Sequence, residues 1–220
     1  MALIDFANFD LIRKGAEANL YSGEWYGRKV IVKKRVEKRY RVEPLDKKIR
    51  AYRTVHEAQI MHEARKAGVP TPTIYLIDLS DFTIVMEYVE GVRLRDSLNN
   101  FSAEERLRTC RKVGNLIGRL HKRSIIHGDL TTSNMILTPD EKIFFIDFGL
   151  SLYSTEVEDR GVDLHLMKRV LNSTHYKYVN QCFSAVIEGY RTEVGDQNTD
   201  RVLTKVREIE KRGRYFAERA

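Results

Sequence analysis

The chain has 220 residues, 42% of them hydrophobic and 31% charged, a composition that buries a sizeable core and excludes a disordered polymer. No apolar run approaches the roughly 18–20 residues that cross a bilayer, and charged residues from Asp5 to Glu17 interrupt the start of the chain, so no membrane contact, no signal peptide and a cytoplasmic location are expected. The formal net charge of +7 is concentrated, with twelve Lys/Arg against three acids (Glu37, Glu43, Asp46) between Arg28 and Arg53. That density suits either a phosphate-rich partner or a solvated face with some lysines turned toward a ligand.

Three short strands are predicted over 9–14, 20–25 and 28–35, with turns at Gly15 and Tyr26-Gly27. The β-branched stretch Lys29–Lys33 reads as a buried strand. After a turn at Pro44, Asp46 is the expected N-cap of a helix running to about Ala67, stopped by Gly68 and Pro70. Ile49, Tyr52, His56, Ile60 and Ala64 recur along it at helical spacing, with Glu57 beside that face. Strands near 74–79 and 82–88 follow. From residue 92 the pattern turns helical: Ser102 and Glu105 form a capping box before a helix with Leu107, Val113, Leu116, Ile117 and Leu120 on its apolar face. A loop HGDLTTSN (127–134), a strand 135–137, a turn at Pro139-Asp140 and a strand 142–146 come next, then helices over about 158–172, 175–193 and 200–216. Cys110 and Cys182 stand in no metal-ligand spacing and read as reduced, buried thiols. The pattern is α+β in two domains: residues 1–89 carry an antiparallel sheet and one helix, and 90–220 are mostly helical.

The chemistry sits in two acidic turns. Asp129 and Asp147 bracket Asn134, and a magnesium–nucleotide site needs hard oxygen ligands, commonly one or two carboxylates plus phosphates. Asp147 and Asn134 are the expected metal ligands, and Asp129 can orient or deprotonate an attacking hydroxyl or water. H-x-D-x-x-x-x-N followed by two hydrophobic residues and Asp147-Phe148-Gly149 is a rare combination, whereas each residue alone is a common turn former.

With these motifs in this order the chain resembles the protein-kinase superfamily, in a small bilobal form with a reduced, mostly helical C-terminal lobe. The resemblance implies that Lys33, in VIVK, neutralises the α- and β-phosphates of ATP and that Glu57, in HEAQI, pairs with it. It implies a phosphate loop at Gly15, Ala16, Glu17 and Ala18. It also implies an adenine-binding hinge at Glu87, Tyr88 and Val89, within MEYVEG. The loop has one glycine where the usual motif has three, Thr131 stands where typical protein kinases carry a lysine on the transferred phosphate, and no APE follows DFG. GAEAN, VIVKKRVEKRYR, HGDLTTSN, IDFGLS, EDRGVDL and KRGR together closely resemble the small atypical serine/threonine kinase/ATPase subunit of the KEOPS (EKC) complex, the PRPK-like family. That resemblance implies ATP and Mg²⁺ as cofactors and a role in N6-threonylcarbamoyladenosine formation in ANN-decoding tRNAs. Its implied partners are tRNA, the threonylcarbamoyl-transferase subunit, and a small subunit on the N-terminal lobe. Lys38, Arg39 and Arg41, with Lys211, Arg212 and Arg214 in the basic tail, are the expected nucleic-acid contacts; the bland alternative for the tail is a helix whose Val202, Val206 and Ile209 stripe docks on the core. Competing readings are a RIO-type kinase, an aminoglycoside-phosphotransferase-type kinase, and a pseudokinase scaffold that needs no metal ligands.

Overall fold

The computed structural model describes residues 9–217, with side chains to Arg212. Its described residues divide into two compact units, 9–62 with 71–89, and 63–70 with 90–217.

The first unit is a five-stranded antiparallel sheet with a helix. Strands β1 (Phe9–Lys14), β2 (Ala18–Trp25) and β3 (Arg28–Arg35) precede α1 (Glu43–Lys66); β4 (Ile74–Asp78) and β5 (Thr83–Glu87) follow. The spatial order is β1-β2-β3-β5-β4. Central β3 pairs Lys33 with Leu20 on one side and Ile84 on the other. Its alternation splits the strand physically: Val30 and Val32 form a fully buried cluster with Val85, while Lys33 and Arg35 face Glu57 of α1.

Two expectations for α1 need correction. The helix begins at Glu43 rather than Asp46, because Pro44 falls in the first turn, where a missing N–H costs nothing. Asp46 is therefore not a cap; its buried carboxylate accepts from Arg50 at 2.6 Å and lies 3.5 Å from Arg41. The expected face holds at Ile60 and Ala64, which are fully buried with Thr54, Glu57, Ala58 and Met61, but not at Tyr52, which is 65% exposed and stacks on His56.

The second unit places β6 (Val92–Arg93), missed in the sequence, beside β8 (Met135–Leu137) and β9 (Ile143–Phe145) in a small sheet, and pairs β7 (Ile125–Ile126) with β10 (Leu152–Tyr153). The helices are α2 (Leu94–Ser97), α3 (Ala103–Lys122), α4 (Val157–Thr174), α5 (Val179–Val194) and α6 (Asp196–Ala217). The predicted Ser102–Glu105 capping box is present in both directions. The helix expected from 175 opens instead as a single 3-10 turn, Tyr176–Tyr178. In α6, Val202 and Val206 are buried, and Lys205 and Ile209 lie over Gly161 of α4, so the apolar stripe of the tail does dock on its own unit.

Helices α3 and α5 meet backbone to backbone. A Cβ on Gly114 would lie 1.9 Å from the Val186 carbonyl oxygen, and one on Gly189 would lie 2.0 Å from that of Arg111. Neither neighbour is a flexible side-chain end, so Gly114→Ala forces the helices apart. A loss of about 2–3 kcal/mol is expected in urea unfolding, and an unchanged midpoint would refute the contact. Cys110 and Cys182 are free and buried between the same helices; the Cys182 contact and burial push the Cys110 thiol upward, which keeps it unreactive.

Candidate active site

In the first unit the site is built on β3. The Lys33 ammonium lies 2.6 Å from Glu57 Oε1, and the Arg35 guanidinium 2.6 Å from Oε2, with Glu57 1% exposed. Arg35 also donates to the Arg53 carbonyl at 3.0 Å, which pins the same strand to α1 a turn earlier. One buried carboxylate thus serves two cations. The shared carboxylate holds the two cations side by side against their mutual repulsion. Arg35 was missed because one more basic residue in a basic run carries no sequence signal.

Gly15–Ala18, the expected phosphate loop, link β1 to β2. The Gly15 N–H donates to Ala18 O at 3.0 Å, and a Cβ at Gly15 would sit 2.5 Å from that oxygen, so the turn admits only glycine. Glu17 pairs with Arg53 of α1 at 2.5 Å. Among the hinge residues, Glu87 receives Thr73 N–H at 2.9 Å and Thr73 Oγ1–H at 2.8 Å, and the Tyr88 ring carries Lys29 Nζ 3.9 Å above it. The Glu87 side chain is thus engaged, and the Glu87 and Tyr88 N–H groups donate to Thr73 O (2.8 Å) and Lys29 O (3.3 Å), so two of the three N–H groups of the expected hinge are already paired.

In the second unit β7 delivers the chain into the loop 127–131, and a 3-10 turn, Thr132–Asn134, returns it to β8. The His127 ring is buried against Phe148 (4.6 Å between centroids) and Phe145 (6.0 Å). Burial pushes its pKa down despite the carboxylates of Asp163, Asp129 and Asp147 around it. Its Nδ1 lies 3.3 Å from the Asp129 N–H, as an acceptor. A neutral, acceptor-side Nδ1 makes His127 a loop support rather than an acid. Gly128, at φ +77°, has the Leu150 carbonyl where a Cβ would go.

The Asn134 amide nitrogen donates to Asp129 at both its carbonyl (3.0 Å) and its Oδ2 (2.8 Å). This fixes which end of Asn134 is free: the side-chain oxygen, a hard donor. The Ile146 N–H donates to Asn134 O at 2.9 Å and ties the approach to DFG to the same turn. Asp147 is exposed at φ +62°, and the next side chain, Phe148, is fully buried. Among the described residues no group of three or more His, Cys, Asp or Glu is placed to hold a metal alone. Two oxygen ligands completed by phosphates and water are what magnesium requires, and Asn134 and Asp147 fit that chemistry.

The anchor of this loop went unassigned in the sequence. Asp163, 1% exposed on α4, accepts the His127 N–H at 2.7 Å and the Gly128 N–H at 2.9 Å. Its Oδ2 lies 3.3 Å from His121 Nε2, and His121 Nδ1 lies 2.9 Å from the Tyr190 hydroxyl. A second prop is His175, whose ring joins Thr132 Oγ1 (3.1 Å) to Asn99 Oδ1 (2.8 Å). The available signal was an acid or histidine set on the apolar face of a helix, as Asp163 is beside Leu164 and Met167.

Of the expected nucleic-acid contacts, Arg39 and Lys211 are exposed. Lys38 donates to the Ala16 carbonyl, Arg41 faces Asp46, and Arg212 pairs with Glu158. Arg214 lies outside the residues whose side chains are described.

Residues 9–178 match the family of the protein kinase domain. The chain is 48% identical over 211 residues to the KEOPS complex subunit Bud32 of Pyrococcus abyssi, covering 93% of this chain and 96% of that one. It is 45% identical over 206 residues to a probable bifunctional tRNA threonylcarbamoyladenosine biosynthesis protein of Methanothermobacter thermautotrophicus, and 42% over 207 residues to the one of Methanosarcina barkeri. The match covers 94% of this chain and 36% of each of those proteins, so it spans about a third of their length.

Proposed function

The chain belongs to the protein-kinase family, within it to the family of the KEOPS kinase subunit, and on that premise we propose that it is a magnesium-dependent ATPase and atypical serine/threonine kinase. Its work is to support N6-threonylcarbamoyladenosine formation in ANN-decoding tRNAs, beside the threonylcarbamoyl-transferase subunit and a small subunit on its sheet lobe. The names of the relatives, a KEOPS subunit and bifunctional threonylcarbamoyladenosine proteins, support that setting.

The observation that carries the enzymatic reading is the orientation of Asn134. A scaffold has no need of an amide whose nitrogen is held on Asp129 by two bonds, which leaves its oxygen as the end available to a ligand. Lys33, positioned by Glu57 at 2.6 Å, binds phosphate oxygens. Asn134 and Asp147 would hold magnesium, which when bound neutralises charge on the transferring phosphoryl group. Asp129 orients the acceptor and takes its proton; its carboxylate is fixed by the Asn134 amide, so it points rather than searches. With no APE segment after Gly149 and β10 leading straight to α4, water is the favoured acceptor. Backbone groups of Glu87, Tyr88 and Val89 take the adenine, and Gly15–Ala18 cover the phosphates. Arg39 and Lys211 contact tRNA phosphates.

The test is phosphate release from ATP by purified protein, alone and with the transferase subunit, with and without Mg²⁺. Turnover that vanishes on chelation and rises with the partner is expected. Turnover indifferent to the metal would refute the assignment. Cells depleted of the chain should lose threonylcarbamoyladenosine from their tRNAs.

A further inference from the structure

The segment after β3 folds back on the phosphate loop. The Val36 N–H donates to Glu17 O at 3.1 Å, the Lys38 ammonium donates to Ala16 O, and the Arg41 N–H closes the turn on Lys38 O at 2.9 Å. With Glu17 also fastened to Arg53 of α1, the loop is gripped from two sides within its own unit.

Charge singles out Lys38 in that grip. Most basic residues around it are matched: Lys33 and Arg35 by Glu57, Lys34 by Asp81, Arg41 and Arg50 by Asp46, Arg53 by Glu17; Arg39, next to it, is exposed and does not reach the phosphate loop in any described bond. Lys38, half-buried, has no carboxylate partner among the described residues. Its acceptor is a neutral carbonyl, which occupies one of three N–H donors and cancels none of the charge. A cation is thus stationed at the bend of the loop, at Ala16 and Glu17, with donors to spare. The loop that carries Asp129, HGDLTTSN, contains no Lys or Arg, and Thr131 stands where the protein-kinase pattern has a cation for the transferred phosphate. Lys33 is then the one side-chain cation so far assigned to the triphosphate, and it serves the inner phosphates, so apart from magnesium the outer end has no cation assigned to it.

We propose that Lys38 is a ligand for the terminal phosphate of the nucleoside triphosphate held at residues 15–18, its ammonium moving from the Ala16 carbonyl to a phosphate oxygen. A charge-assisted bond to phosphate is stronger than one to a neutral carbonyl, so the exchange favours the loaded state. The inference rests on the ATP reading and refines it: Lys33 serves the inner phosphates, Lys38 the outer one.

Calorimetric titration of Lys38→Met, Lys38→Arg and a control, Lys48→Met on exposed α1 surface, decides the matter, with Mg²⁺ plus a non-hydrolysable ATP analogue and separately Mg²⁺ plus ADP. Lys38→Met should weaken the triphosphate analogue by roughly tenfold and leave ADP unchanged. Lys38→Arg should retain most of the affinity, and Lys48→Met all of it. Thermal unfolding without nucleotide should differ by no more than the one hydrogen bond to Ala16, about 1 kcal/mol, which separates ligation from folding. Equal losses for both nucleotides, or none for either, overturn the proposal while wild-type binding keeps the ATP reading intact. A Lys38→Met variant with normal nucleotide affinities and weakened tRNA binding returns this lysine to the nucleic-acid surface and also overturns it. If the wild type binds neither nucleotide, both readings fail.

Discussion

Asp163→Ala is expected to lower stability by about 3–5 kcal/mol, the range for breaking a buried, hydrogen-bonded charge. The carboxylate is 1% exposed and receives two backbone N–H groups, of His127 and Gly128, besides facing His121. Alanine leaves those donors buried and unmatched, at about 1–3 kcal/mol for each. Asparagine does not rescue: its NH₂ group confronts an N–H donor with another donor. Urea unfolding of both variants measures the loss, and a shift under 1 kcal/mol would show that water replaces the carboxylate.

The same residue sets part of the pH profile. Burial raises the Asp163 pKa, but the hydrogen bond and charge of His121, with the His127 contacts, outweigh it and hold the group below its ordinary 3.8. A carboxylate depressed on folding stabilises above its unfolded value and loses that contribution as pH falls through the folded one. His127 and His175 are also lowered, both by burial and His175 further by Arg106. Unfolded histidines take up protons first, so these two remove stability as pH falls below their ordinary 6.5. Wild-type stability should therefore decline in two stages on acidification, beginning near 6.5 and again below 3.8. Asp163→Ala should shrink the second stage, to which Glu105 and Glu158, lowered by their own partners, also contribute, and keep the first.

What could be read from sequence follows from how far each interaction reaches along the chain. Asp129 and Asn134 lie five residues apart and bond directly, so a contiguous motif encodes their geometry. The five strands of the sheet and the capping box at Ser102 were legible for the same reason: alternation, turn residues and an i,i+3 pair are local signals. Asp163 lies 36 residues from the amide it holds, and His175 lies 43 from Thr132. Nothing near either one announces a partner. The face of α1 was read correctly at Ile60 and Ala64 but not at Tyr52 and Glu57, for a different reason. Hydrophobicity placed Tyr52 inward and Glu57 aside, yet Lys33 and Arg35 make a buried glutamate favourable, and the helix turns to supply it. In the basic run, charge density suited either a phosphate-rich partner or a solvated face, and most of these cations have acidic partners in their own unit. Counting charges shows how many cations there are and is silent on which are free.

Asp147→Asn should abolish magnesium-dependent turnover while leaving the fold untouched, and the choice of asparagine makes the result interpretable. Asp147 sits at φ +62°, in the left-handed region. Alanine there would add about 1–2 kcal/mol of backbone strain, which would confuse a loss of metal with a loss of structure. Asparagine tolerates that conformation, matches the aspartate in shape and keeps Phe148 in its buried seat. What disappears is the charge, and with it the harder of the two oxygen ligands proposed for magnesium. A divalent cation contributes several kcal/mol to charge stabilisation in phosphoryl transfer, and each 1.36 kcal/mol is tenfold in rate. The expected loss is therefore about a thousandfold or more in ATP turnover, with a urea midpoint within about 0.5 kcal/mol of the parent, as for a surface change. Turnover within tenfold of wild type would remove Asp147 from the metal site, whatever the motif around it suggests. Turnover restored by raising Mg²⁺ would keep it there and show the loss to be one of affinity, since the Asn134 oxygen, oriented by its own amide on Asp129, still offers the ion a first contact.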